Sequence, residues 1–311
     1  MKLHENQTEF RELITLTARE KHISESAVER DYYIVRALKQ LADSEESDSC
    51  VFKGGTSLSK CYPGSIERFS EDIDLTFYKT EGLSNKQIER RLKAIEKIMT
   101  AGAKTEPITS ERNDRNKSSY FWFDSEESRI KLEIGSSVRP EPFSRKSLVT
   151  YIQEYLETHG FENEAAEYGL VPVELNVLNI ERTFLDKIMA VKRHAICGTL
   201  SGKVRHIYDV TRLFAMPESQ AFLQDKEELK RLVTLTKATD SVYLEKRNIP
   251  ENYDPTGAYD FPAWKDCFND DIRSIYERLH EDLLYTDDKQ NFNLAVQTFE
   301  RISALFAEIG E

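Results

Sequence analysis

A chain of 311 residues with 39% hydrophobic and 32% charged residues, 12 glycines and 9 prolines is long enough for two cores, and its make-up excludes fibrous and intrinsically disordered classes. A formal charge of −12 excludes a protein that coats nucleic acid by bulk electrostatics, while leaving room for a local basic site. The first ten residues lack the apolar run of a signal peptide and no stretch approaches the roughly 18 apolar residues that cross a bilayer, so a cytoplasmic protein without a membrane partner is expected.

Ser26 with Glu29 three residues on reads as a capping box. Val28, Tyr32, Val35, Leu38 and Leu41 follow at helical spacing, which predicts a helix over 27–42. CVFKGG then reads as a short strand ended by glycines, and TSLSKCY as the start of a helix that Thr56 or Ser57 can cap. IDLTF alternates like a strand, SNKQIERRLKAIEKIMTAGA reads as a helix, and YFWFDS and RIKLEIGSS read as two further strands after the polar turn ERNDRNKSS. From Tyr151 onward the pattern is mainly helical, with VPVELNVL as a candidate edge strand and NIPENYDPTGAYDFP as a long loop. The last helix carries the stripe Phe292, Val296, Phe299, Ile302, Leu305 and Ile309. RPEPFSRKS is the expected boundary between an α+β domain over 1–145 and a mainly helical domain over 146–311. Cys50, Cys61, Cys197 and Cys267 form no CxxC pair and read as isolated thiols.

The chemistry concentrates between Val51 and Phe77, VFKGGTSLSKCYPGSIERFSEDIDLTF. Strand side chains alternate faces, so Asp72 and Asp74 point the same way with Cα atoms roughly 6.5–7 Å apart. Two carboxylates so close favour a bound divalent cation, and oxygen ligands of this kind suit Mg²⁺ or Mn²⁺. Upstream, Lys53, Gly54 and Gly55 lead into a helix start, where close backbone approach and unpaired N–H groups favour phosphate. Ser57 and Ser59 add hydroxyls and Lys60 a charge. The spacing is not that of a Walker P-loop. A third acid, Glu133, lies on the polar face of IKLEIG and is a candidate third metal ligand. Between Asp186 and Arg212 six basic residues (Lys187, Lys192, Arg193, Lys203, Arg205, Arg212) stand against two acids, a stretch that reads equally as an anion site or a solvated helix face. His194 and His206 read as surface or satisfied histidines, and Tyr32, Trp122 and Trp264 as packing groups.

The array GGTSLSK, RFSEDIDL and a later strand acid resembles the DNA polymerase beta superfamily of nucleotidyltransferases, specifically the AbiEii/AbiGii-type toxins of type IV toxin–antitoxin systems. VERDYYIVRAL resembles that family's leading helix, and ERTFLDKIMAVKRH with RHIYDVTRLF its two later motifs, so the likeness spans Ser26 to Phe214. It implies a polymerase beta-like core, a mixed sheet flanked by helices, followed by a mainly helical domain. By the resemblance Gly55 with Thr56 or Ser57 would hold the nucleotide phosphates, Asp72 and Asp74 would bind Mg²⁺, Lys187 would contact the nucleotide, and Asp209 would be the late catalytic acid. Either Glu133 or Asp209 would complete the metal site, with Glu133 ranked as ligand and Asp209 as base or orienting group. The chain departs from the family at His206, where an acid usually follows the arginine.

The expected function is therefore metal-dependent transfer of NMP from an NTP to an RNA acceptor, the tRNA 3′ end by the resemblance, with growth arrest as the consequence and a cognate antitoxin as partner. Transfer to a small molecule or protein hydroxyl is the second reading, and a non-catalytic NTP-binding module the third.

Overall fold

The computed structural model describes residues 1–124, 126–244, 253–285 and 289–311. Part of the expected loop, 248–252, lies outside the described residues.

Two compact units divide the chain. The first is made of Met1–Cys61, Phe69–Ser136 and Phe143–Leu178, and the second of Tyr62–Arg68, Ser137–Pro142 and Asn179–Glu311. The first is built on one seven-stranded mixed sheet. Its strands are β1 (Cys50–Lys53), β2 (Asp72–Phe77), β3 (Lys104–Pro107), β4 (Asn116–Trp122), β5 (Ile130–Gly135), β6 (Phe143–Leu148) and β7 (Val173–Leu178). They lie in the order β3-β4-β5-β2-β1-β7-β6. β2 runs antiparallel to β1 and parallel to β5, which puts the two acid-bearing strands side by side at the centre.

Two strands escape sequence patterning because neither alternates cleanly. β3 is exposed throughout and ends in Pro107, and β6 carries Ser144, Arg145, Lys146 and Ser147. Both are edge strands, where charge and proline discourage pairing with another chain. β7 is not the expected edge strand. It lies between β1 and β6, and its pairing with β1 extends the first unit to Leu178, well past residue 145.

Helices α1 (Gln7–Lys21), α2 (Glu25–Ala42), α3 (Gly54–Cys61), α4 (Asn85–Met99), α5 (Tyr151–Thr158) and α6 (Glu162–Glu167) complete the first unit. α2 begins two residues before the expected start because Ser24, not Ser26, accepts from the Ala27 N–H. Its predicted stripe Val28, Tyr32, Val35, Leu38 and Leu41 is entirely buried. α4 has a full capping box from Ser84 and Gln87, and buries Ile88, Leu92, Ile95 and Met99. That spacing is one face of a helix of 3.6 residues per turn.

The second unit is helical, led by α7 (Ile180–Ile196) and α8 (Val204–Phe214). Its last helix, Phe292–Glu308, buries Phe292, Ala295, Phe299, Ile302 and Phe306. Val296 and Leu305 sit at the flank of this stripe, because alternating steps of three and four keep the buried row straight along the helix. Buried Arg182 donates to the carbonyls of Arg139 and Glu141 and to Asp186, which explains why Ser137–Pro142 belongs here. Among the described residues no helix is long and apolar enough to cross a membrane, and the four cysteines are free.

Candidate active site

Register fixes the composition of the central sheet face. Asp74 pairs across with Lys53 on β1 and with Glu133 on β5, and Asp72 pairs with Lys131. Ile73, Leu75, Ile130, Leu132 and Ile134 are buried on the opposite face. Strand alternation therefore leaves Asp72, Asp74, Glu133, Lys131 and Lys53 on one face.

The glycine turn closes directly on this face. Gly54 has φ +86°, and a Cβ there would lie 2.2 Å from Asp74 Oδ2. Only glycine accommodates both the left-handed backbone and the carboxylate against it. α3 starts at the glycines themselves, not after them. The Thr56 hydroxyl donates to the Asp72 carbonyl and lies 3.1 Å from Ser70 Oγ, Ser57 Oγ donates to the Gly54 carbonyl at 3.0 Å, and Ser59 Oγ to the Thr56 carbonyl at 3.1 Å. Thr56 and Ser57 are buried, and their hydroxyls hold the turn and its strand. Lys60 differs more sharply. Its ammonium lies 2.6 Å from Asp31 Oδ1 with both side chains nearly fully buried, and Asp31 also accepts from the Tyr151 N–H at 2.6 Å. Burial raises the Asp31 carboxyl, while Lys60 and the Tyr151 N–H oppose it. Lys60 is thus committed to the interior, leaving Lys53 as the lysine at the turn.

Glu133 is engaged as well. Lys131 Nζ lies 2.5 Å from Glu133 Oε1 and 2.9 Å from Glu111 Oε2. Burial lowers the Lys131 ammonium pKa, but the bonds to Glu133 and Glu111 outweigh this and raise it. The expected three-acid metal set is accordingly not closed, and among the described residues no three His, Cys, Asp or Glu groups converge on a ready-made metal site. Asp72 and Asp74 still fit a divalent ion. Mg²⁺ is commonly bound through one or two carboxylates with substrate phosphates and water completing its shell.

In the second unit Asp209 sits mid-helix in α8, not at its N-cap, and is fully buried. Arg68 grips it in two places, Nε to Oδ1 at 2.6 Å and Nη2 to Oδ2 at 2.7 Å, and Lys187 Nζ adds a contact to Oδ2 at 2.7 Å. Burial alone would raise the Asp209 carboxyl, but the guanidinium and ammonium hold it well below the usual carboxylate range. Arg212 pairs with Glu67 and the Tyr285 N–H donates to the Glu67 carbonyl, so Tyr62–Arg68 is fastened at two neighbouring residues. His206, at the departing position, keeps Nδ1 without a hydrogen-bond partner. Burial first and Lys187 second push its imidazole well below its ordinary range.

A family model described as nucleotidyl transferase AbiEii toxin, type IV TA system, matches residues 36–303. The chain belongs to the AbiEii toxin family. It is a nucleotidyltransferase of a type IV toxin–antitoxin system, with an NTP as substrate and an antitoxin as partner. MenT4, a nucleotidyltransferase toxin from Mycobacterium tuberculosis, shares the fold at 17% identity and a TM-score of 0.54, over 96% of this chain and 89% of that one. JHP933 from Helicobacter pylori aligns over 93% of this chain and 99% of its own at 17% identity, with a TM-score of 0.38. No curated protein sequence matches the chain.

Sequence reasoning on this AbiEii chain missed Arg68 and Lys131. Arg68 stands in the quoted RFSEDIDL, and a buried acid such as Asp209 must be paired; that demand was the available signal. Lys131 stands two residues before Glu133 on the same strand, so alternation along IKLEIG already put it on the face of Glu133, and only its place opposite Asp72 needed the register. The basic stretch is also reassigned. Of its six cations, Lys187 binds Asp209, Lys192 donates to the Gly257 and Ala258 carbonyls, Arg193 pairs with Asp240 and Arg212 with Glu67. All four thus have partners within the second unit, Arg212 and Glu67 on its exposed surface.

Proposed function

We propose that this AbiEii nucleotidyltransferase transfers NMP from an NTP in a metal-dependent reaction, with Mg²⁺ or Mn²⁺ on Asp72 and Asp74 and the 3′ end of tRNA as acceptor. The observation that carries the metal reading is the packing of the Gly54 backbone against the Asp74 carboxylate, on the face Asp74 shares with Asp72. A divalent ion on this pair supplies charge neutralisation for the α-phosphate and the departing pyrophosphate. The Gly54–Gly55 backbone at the start of α3 is the phosphate cradle, and Lys53 adds a cation beside it. Catalysis then rests on positioning and fixed charge. Asp209, held ionised by Arg68 and Lys187, is a poor proton acceptor. Its proposed part is to fix the Lys187 ammonium, which the family likeness assigns to the nucleotide.

The RNA acceptor rests on family membership. The internal pairing of four of the six cations between Lys187 and Arg212, with the charge of −12, favours a second reading in which the acceptor is a protein or small-molecule hydroxyl. Incubation with each α-³²P-labelled NTP, Mg²⁺ and total tRNA separates the two. Label on tRNA with wild type but not with Asp72→Ala or Asp74→Ala is the expected result. Label on protein or on small molecules from extract would replace the acceptor, and transfer that survives both substitutions would overturn the carboxylate assignment.

A further inference from the structure

The sheet face that carries Asp72 and Asp74 also carries its own cation. In the parallel register of β2 and β5, Lys131 stands opposite Asp72 and Glu133 opposite Asp74. Lys131 is half-buried, and its ammonium is fixed between Glu133 Oε1 at 2.5 Å and Glu111 Oε2 at 2.9 Å. Lys53 faces Asp74 from the other side. Three acids of one face are thus interleaved with two lysines.

We infer that Lys131 is a positioning residue that holds Glu133 in the metal-free protein and competes with the divalent cation for this face, so that metal arrives with the nucleotide phosphates and is not held in advance. The inference rests on the metal reading of Asp72 and Asp74. Its physical basis is that an ammonium and a divalent ion seek the same carboxylate oxygens. Neutralising the face internally removes much of the attraction that adjacent carboxylates would exert on a free ion. Glu111 is part of the device: it is the second anchor of Lys131 and lies outside the face itself.

Mn²⁺ binding followed by the electron paramagnetic resonance signal of the free ion tests this without turnover. Without nucleotide, Lys131→Gln binds Mn²⁺ about tenfold more tightly than wild type, the low end of what outer-shell changes do at metal sites. Lys131→Arg, which keeps the charge, behaves as wild type, and the gain disappears in Lys131→Gln/Glu133→Gln. A purely structural lysine predicts the opposite sign, since loosening β5 would weaken binding. Unchanged or weaker binding by a folded Lys131→Gln overturns the inference. Should that variant not fold, Glu111→Gln decides: freeing Lys131 for Glu133 alone weakens Mn²⁺ binding, and no change overturns the inference. Wild type that takes up no Mn²⁺ even with α,β-methylene analogues of the four NTPs overturns the metal reading and this inference with it. Nucleotide-dependent uptake that Lys131→Gln leaves unaltered overturns the inference alone.

Discussion

Gly54→Ala tests the join between the turn and the carboxylate pair. Two costs are separable. The first is the left-handed backbone at φ +86°, which costs an alanine about 1–2 kcal/mol. The second is the contact of 2.2 Å between the added Cβ and Asp74 Oδ2, which forces the carboxylate to swing by about 1 Å, a misplacement worth roughly a hundredfold in rate. Gly64 supplies the control, because it has φ +75° but nothing within 4 Å of an added Cβ. Denaturant unfolding and single-turnover transfer are measured on both variants. Gly64→Ala is expected to lose about 1–2 kcal/mol of stability and keep its rate, whereas Gly54→Ala loses stability and about two orders of magnitude in transfer. Gly54→Ala with a wild-type rate would show that Asp74 does not depend on the bare backbone beside it, and the site geometry would need redrawing.

Asp209→Asn leaves Arg68 and Lys187 buried without their anion and is expected to cost about 3–5 kcal/mol in urea unfolding, the range for breaking a buried ion pair from one side. A loss below about 1 kcal/mol, as for an exposed pair, would refute the burial argument. The Asp209 carboxyl is depressed in the folded state, so its contribution is full above the unfolded value near 3.9 and is lost as pH falls through the folded pKa. Acid titration of Asp209→Asn should therefore show a shallower loss of stability below about pH 4 than wild type. His206 also has a depressed folded pKa. The unfolded chain takes up its proton first, so stability declines as pH falls below about 6.5, and His206→Gln should flatten the slope between about pH 5 and 6.5 in the same titration. Lys60→Met strands the Asp31 carboxylate and is expected to cost about 3–5 kcal/mol; a mild loss of stability with a strong loss of nucleotide binding would instead return Lys60 to the phosphates.

Local signals carried much of the architecture. α2 and α4 were legible because their apolar stripes repeat at helical spacing and serines cap them, and β2 and β5 because alternation left acids on one face of an otherwise apolar run. β3 and β6 were not, because an edge strand needs no buried face and so leaves no alternating imprint. The limit of the first unit was hidden for a related reason: β7 joins the sheet beside β1, a partner more than a hundred residues earlier in the chain, and nothing local to Val173–Leu178 reports that pairing.

The chain's own pattern determined the family, the carboxylate pair and the glycine turn, since strand alternation and a left-handed glycine are properties of a few neighbouring residues. Tertiary structure decided which charges pair with one another. Lys60 went to Asp31, Lys131 to Glu133 and Glu111, and Lys187 with Arg68 to Asp209, because burying any charge demands an opposite partner. Asp31 and Asp209 lie far in sequence from the cations they hold, where no local motif can report them, whereas Glu133 is only two residues from Lys131 on the same strand.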